Sequence, residues 1–180
     1  PDTREEILAI AQTLKADVSR DVFLGPAASK QSVKGANLAS RRVVVFATHG
    51  LVPGDFPNLD QPALALAAPD GKAETGLLTL EDILQLKLDA DWVVLSACNT
   101  AAGDGAGADA ISGMGRGFFY TGRRALLVTH WPVETRSARR LVTARFERYA
   151  SSPDVSRAQA LKEAHLAVME ERATDAAGKP

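Results

Sequence analysis

A mixed α/β chain, with a mostly parallel sheet flanked by helices on both faces, is the fold class the sequence predicts. Three observations carry that reading. Continuous apolar runs occur at "RRVVVFATHG" from Val43, at "WVVLSAC" from Trp92 and at "ALLVTHW" from Ala125, the pattern of strands buried on both faces of a parallel sheet. Segments of helical periodicity lie between them, as right-handed parallel crossovers require. No internal repeat or low-complexity linker divides the 180 residues, so one domain spanning residues 1–180 is expected.

The elements follow in order. "TREEILAIAQTLK" opens with Thr3 as N-cap and Glu5 and Glu6 in the first turn, and Ile7, Leu8, Ile10, Ala11 and Leu14 recur at helical spacing. "DVFLG" reads as a short edge strand, and Lys30 to Leu38 as one helical turn or two. After the strand from Val43, "ALALAAPDG" is a weaker strand closed by a Pro-Asp-Gly turn. "TLEDILQLKLDAD" has Thr79 as N-cap, Glu81 and Asp82 in its first turn, and Leu80, Ile83, Leu84 and Leu86 to pack inward. "ADAISGMGRGFFYTG" is a helix whose Gly113, Gly115 and Gly117 cost helix propensity but let its backbone lie close to the sheet. "VETRSARRLVTARFERYASS" and "DVSRAQALKEAHLAVMEERA" are amphipathic helices with Arg and Glu on solvated faces, and His165 is among those solvated residues.

Composition narrows the functional classes. A net charge of −1 offers no electrostatic reason to bind nucleic acid or an anionic membrane. No apolar run approaches the roughly 20 residues of a membrane-spanning helix. The single cysteine cannot form an internal disulfide, so a cytoplasmic location is expected. No His, Cys and carboxylate cluster has metal-ligand spacing, and neither a metal nor a cofactor is expected. "GDGAGA" satisfies the letters of a dinucleotide fingerprint, but it does not directly follow its strand, and the next strand ends in Thr129 and His130 rather than an acid. Pro1 leads straight into a helical segment, and the chain is expected to be the C-terminal piece of a longer protein.

In open α/β sheets reactive groups collect beyond the carboxyl ends of the strands. Three strands here end in a chemically competent residue: His49, Cys98 and His130. A thiol reacts as the thiolate and needs a proton acceptor nearby, which an imidazole supplies and can later return to a leaving amine. Gly50, without a side chain, lets a backbone N–H approach a substrate carbonyl, and with the N–H of Cys98 it would hold an oxyanion. The alternative for Cys98 is an inert buried thiol. His130 is either structural beside Trp131 or a second proton carrier. Trp131 is either a packed aromatic or a wall of the substrate groove. Asp55, in the long loop after His49, reads as a turn residue.

"VVVFATHG", "LTLEDILQLKL", "WVVLSACNTA" and "HWPVET" closely resemble, in order and spacing, the CHAT domain, one of the caspase-like cysteine peptidases that also include separase. A histidine about 50 residues ahead of the cysteine suits that group. The resemblance implies a caspase-like sheet flanked by helices, with His49 as general base and acid, Cys98 as nucleophile, and Gly50 with Cys98 in the oxyanion hole. It further implies a cysteine endopeptidase acting on a protein or peptide substrate and activated by a partner protein or a regulatory domain. The alternative is a catalytically silent interaction module of the same fold.

The sequence departs from the family's common pattern in places. Where "LWPVDD" is usual, Thr129 to Thr135 read "THWPVET", so Thr135 replaces one acid and Glu134 keeps the other. Glu134 either helps hold a basic substrate side chain or caps the helix that follows. Asn99 and Ala101 stand where an acid and a glycine are frequent, and the first change removes a negative charge beside the thiol, which favours the thiolate.

Overall fold

The computed structural model describes residues 2–96, 106–121, 125–128, 135–151 and 156–177. It divides into two compact units, one formed by the N-terminal 22 residues with the chain from Val133 onward, the other by Phe23–Pro132.

Among the described residues the larger unit holds two three-stranded sheets. In the first, β1 (Val43–Phe46), β5 (Trp92–Leu95) and β6 (Leu126–Val128) run parallel in the order β1-β5-β6. The three apolar runs that predict strands are these three. Only central β5 is buried throughout; β1 alternates, with Val44 and Phe46 inside, and β6 is half-buried as the outer strand. The second sheet is antiparallel, β2 (His49–Leu51), β3 (Ala63–Ala65) and β4 (Leu77–Thr79) in the order β2-β3-β4. Of these only β3 is visible in the sequence pattern, because three residues are too few to display a period of two. The chain is thus mixed α/β, with its parallel part confined to a small sheet.

Among the described residues the α-helices of this unit are α3 (Lys30–Gly35), which precedes β1, α4 (Leu80–Leu84), between β4 and β5, and α5 (Ala106–Tyr120), between β5 and β6. Ser29 caps α3 by accepting from Ser32 N–H. Phe46 and Phe118 meet at a ring-centroid distance of 5.9 Å, within one apolar cluster that also includes Leu64, Leu78, Ile83, Val93, Leu95 and Met114. In α5, a side chain at Gly117 would run into Leu80 of α4, and one at Gly115 would press on Leu126 of β6 at 3.2 Å, whereas one at Gly113 would meet nothing within 4 Å among the described residues. The expected close approach is therefore made to the sheet by Gly115 and to α4 by Gly117.

Three further expectations are corrected. "DVFLG" is not an edge strand: Val22 and Leu24 have extended backbones, but among the described residues no strand pairs with them. The helix after Thr79 stops at Leu84, which is 49% exposed, while Ile83 is fully buried. Helix α1 (Asp2–Thr13) already includes Thr3, which therefore is not its cap.

Asp82 joins several elements of this unit. Thr79 and Asp82 form a reciprocal capping box at the start of α4: Thr79 N–H and hydroxyl donate to Asp82 Oδ2 at 3.1 and 2.9 Å. Lys30 and Lys34, one helical turn apart on α3, each place Nζ 2.6 Å from an Asp82 oxygen. Burial pushes the Asp82 carboxyl up, but the hydrogen bonds from Lys30, Lys34 and Thr79 outweigh it and hold the group well below the usual carboxylate range.

The smaller unit packs α1 against α6 (Thr135–Ser151) and α6 against α7 (Arg157–Ala177), with α2 (Val18–Asp21) beside α1. Among the described residues its buried apolar side chains are Ile10, Ala11, Val142, Phe146, Ala160 and Ala164, and Glu6 and Arg145 are buried with them. Arg148 Nε donates to Glu163, tying α6 to α7. His165 is exposed, as expected of a solvated helix face, and its Nδ1 lies 2.9 Å from the Leu161 carbonyl. No described helix is long and apolar enough to cross a membrane.

Because the Asp82 carboxyl is more acidic folded than unfolded, its contribution to stability is complete above the ordinary carboxylate range near pH 4 and is lost as pH falls below it. Asp82→Ala should cost about 2 kcal/mol at neutral pH, from the lost cap and charged hydrogen bonds. Denaturant midpoints of wild type and variant should converge toward acid pH, and a gap that stays constant would count against this account.

Candidate functional site

The chain reaches the candidate site by two neighbouring routes. β1 and β5 pair in parallel, Val43 opposite Trp92 and Phe46 opposite Leu95. The ladder continues one step further, since Ser96 N–H donates to the Phe46 carbonyl at 2.9 Å. Ser96 is buried. The two strands therefore leave the sheet side by side and in the same direction, at their carboxyl ends. Beyond Phe46 the chain runs through Ala47 and Thr48 to His49, and Cys98 follows Ser96 by two residues in the sequence.

His49 does not end β1, as the sequence suggested, because that strand stops at Phe46. It opens β2, which turns into the antiparallel sheet, pairing His49 with Ala65, Gly50 with Leu64 and Leu51 with Ala63. Along β2 His49 is exposed, Gly50 buried and Leu51 half-buried, the alternation that the pleat imposes.

The direction of Gly50's backbone follows from the next ladder. Leu66 N–H donates to Gly76 O at 2.8 Å, and Leu80 N–H donates to Pro62 O at 3.0 Å. In that register the even-numbered residues of β3 turn their N–H and C=O toward β4. Backbone groups alternate sides along a strand, so Ala63 and Ala65 turn theirs toward β2, where Leu51 and His49 stand opposite. Gly50, between those two, turns its N–H and C=O to the other side. Among the described residues no strand pairs with that edge of β2. A glycine with its N–H directed outward at a sheet edge, next to an exposed histidine, can donate to a carbonyl oxygen brought to that edge.

Thr48 and Asp55 complete the surroundings. Thr48 Oγ1 donates to the Ala65 carbonyl, and Asp55 Oδ2 accepts from Val52 N–H at 2.9 Å. The turn role expected of Asp55 is the one it has. Thr48 carries no signal in the sequence, since a threonine at the end of a strand reads only as a strand former.

The structure describes His49 and Gly50. Cys98, His130, Trp131 and Glu134 lie outside the described residues, as do Asn99 and Ala101. Among the described residues no three His, Cys, Asp or Glu side chains group as metal ligands would.

Compared with known protein families, the chain matches the CHAT domain over residues 1–179. No curated protein matches it significantly.

The ladder alternation predicts that the His49 and Leu51 amides, directed into β3, exchange with solvent hydrogen more slowly than the Gly50 amide. Amide exchange resolved by residue checks this, and a Gly50 amide protected as well as both its neighbours would show that the edge is closed.

Proposed function

Because the chain belongs to the CHAT domain family, which includes peptidases, we propose that it is a cysteine endopeptidase with a caspase-like arrangement, working through His49 and Cys98. One observation supports this above the rest. The β1–β5 pairing, extended by the Phe46 carbonyl and Ser96 N–H, brings Phe46 and Ser96 side by side at the carboxyl end of the sheet, and in the sequence His49 follows the first by three residues and Cys98 the second by two.

The chemistry runs in two halves. His49 takes the proton of the Cys98 thiol as sulfur attacks the scissile carbonyl carbon, and the carbonyl π pair moves to oxygen. Gly50 N–H and Cys98 N–H donate to that oxyanion. As the intermediate collapses, the C–N bond breaks, His49 returns its proton to the leaving amine, and a thioester remains on Cys98. Water, deprotonated by His49, attacks the thioester carbonyl and releases the carboxylic acid, and the thiol recovers its proton.

Glu134 and Trp131 are assigned to the substrate side of this site. Glu134 is an acid able to hold a basic residue before the scissile bond, and Trp131 offers an aromatic wall to the peptide. A protein or peptide is the substrate, and a partner protein or a further domain serves as activator. The presence of both histidine and cysteine favours this reading over a silent interaction module, which needs neither.

Labelling with a thiol-directed peptidyl electrophile, followed by adduct mapping, should find Cys98 reacting faster than a free thiol. His49→Ala should return that rate to the free-thiol level, and Cys98→Ala should abolish cleavage of a peptide library, a loss of at least about a thousandfold. A Cys98→Ala variant that still cleaves the library, or a labelling rate unaffected by His49→Ala, removes the dyad.

A further inference from the structure

The segment that carries His49 and Gly50 is structurally slight. β2 has three residues, fewer than the roughly five or six of an ordinary strand, and it stands at the margin of its sheet. So short a ladder specifies its own register weakly, yet register matters here more than usual. Side chains and backbone groups both alternate with a period of two, so a slip by one residue would turn the imidazole toward the buried side. The same slip would turn Gly50's N–H into β3.

Side-chain hydrogen bonds flank the strand at each end. Before it, Thr48 Oγ1 donates to the carbonyl of Ala65, the residue opposite His49. After it, Asp55 Oδ2 accepts from Val52 N–H at 2.9 Å, and Asp55 N–H donates back to the Val52 carbonyl at 3.1 Å. That turn is itself braced. Gly54, at a φ of +92°, which favours glycine, donates its N–H to the Leu59 carbonyl at 3.0 Å, and Leu59 N–H donates to the Phe56 carbonyl at 3.0 Å. Leu59 is buried and anchors the loop.

We propose that Thr48 and Asp55 are positioning residues, which hold β2 in the one register that leaves His49 exposed and turns Gly50's N–H away from β3. This rests on the reading of His49 as the base and Gly50 as an oxyanion donor. Neither Thr48 nor Asp55 touches substrate in this arrangement, and both act through the three residues between them. Thr48 offers the more local test, because Thr48→Val keeps the shape of the side chain and removes only the donor, while Thr48→Ser keeps the donor. Asp55→Ala removes the acceptor, and Asp55→Asn keeps an acceptor oxygen.

The experiment uses the full 180-residue chain and two readouts. The first is amide exchange at His49 and Leu51. The net worth of one hydrogen bond, about 1 kcal/mol, corresponds to about a fivefold rise in exchange rate. That rise is expected in Thr48→Val and Asp55→Ala, with wild-type rates in Thr48→Ser and Asp55→Asn. The second is hydrolysis of the best library peptide, in which kcat should fall in Thr48→Val and Asp55→Ala while KM is unchanged, and recover in the conservative variants. Should Asp55→Ala fail to fold, Thr48→Val with its serine control carries the test. Exchange at His49 and Leu51 unaltered in Thr48→Val overturns the proposal, and so does raised exchange with unaltered kcat. A wild-type chain that cleaves no peptide and whose Cys98 reacts like a free thiol removes the peptidase reading instead, and the exchange arm then decides the register on its own.

Discussion

The parallel pairing of β1 with β5 is the constraint on which the rest of the larger unit depends. Val43 and Trp92 are far apart in the chain, and bringing them together costs loop-closure entropy before any contact rewards it. Burial supplies the compensation. β5 is buried along its whole length, and Val44 and Phe46 of β1 join Val93, Leu95, Met114 and Phe118 in a single apolar cluster. Each Å² of apolar surface that the cluster removes from water contributes roughly 25 cal/mol. The same pairing determines where the chain emerges, so the core that stabilises the sheet also chooses which two segments become neighbours at its rim.

The antiparallel sheet is held in a different way. Its strands are three residues each, too short to be stable alone. Polar contacts at their ends compensate. Thr79 is both the last residue of β4 and the cap of α4, and Asp82 binds that cap on one side and two lysines of α3 on the other. Gln61 Oε1 accepts from Glu81 N–H at 2.9 Å, and the Pro62 carbonyl accepts from Leu80 N–H, so the residues just before β3 are fastened to the first turn of α4. Position passes by hydrogen bonds from α3 to α4, from α4 to β4 and β3, and across the ladder to β2. A histidine on a short edge strand thereby acquires a defined place without being buried itself.

The two sheets divide the work of the proposed chemistry. The apolar parallel sheet aligns the ends of β1 and β5, while the small polar-tethered sheet sets the place of His49 and the direction of the Gly50 N–H. General-base chemistry rewards the first arrangement with proximity and the second with direction, and misplacement of either group by an ångström lowers the rate steeply. An edge strand also leaves backbone groups for an incoming peptide, which a central strand cannot do.

Much of this was legible in the residues. Unbroken apolar runs specified the three parallel strands, because a strand covered on both faces tolerates few polar side chains. Thr79 as N-cap, with Glu81 and Asp82 in the first turn, announced a helix start, and the cap formed as expected because its hydrogen bonds are local; the structure adds the reciprocal bond to the Asp82 side chain that makes it a capping box. Order and spacing around His49 and Cys98 carried the family resemblance, which the family match bears out. What the sequence by itself determined was therefore local chemistry and burial: which segments are strands or helices, and which residue types stand where strands end. Tertiary structure alone decided that β5 lies beside β1, that β2 and β4 flank β3 in a second sheet, and that Gly50 turns its backbone N–H away from β3. Those outcomes depend on pairing between distant segments, whose energy resides in contacts and ladder register that no single stretch of sequence contains.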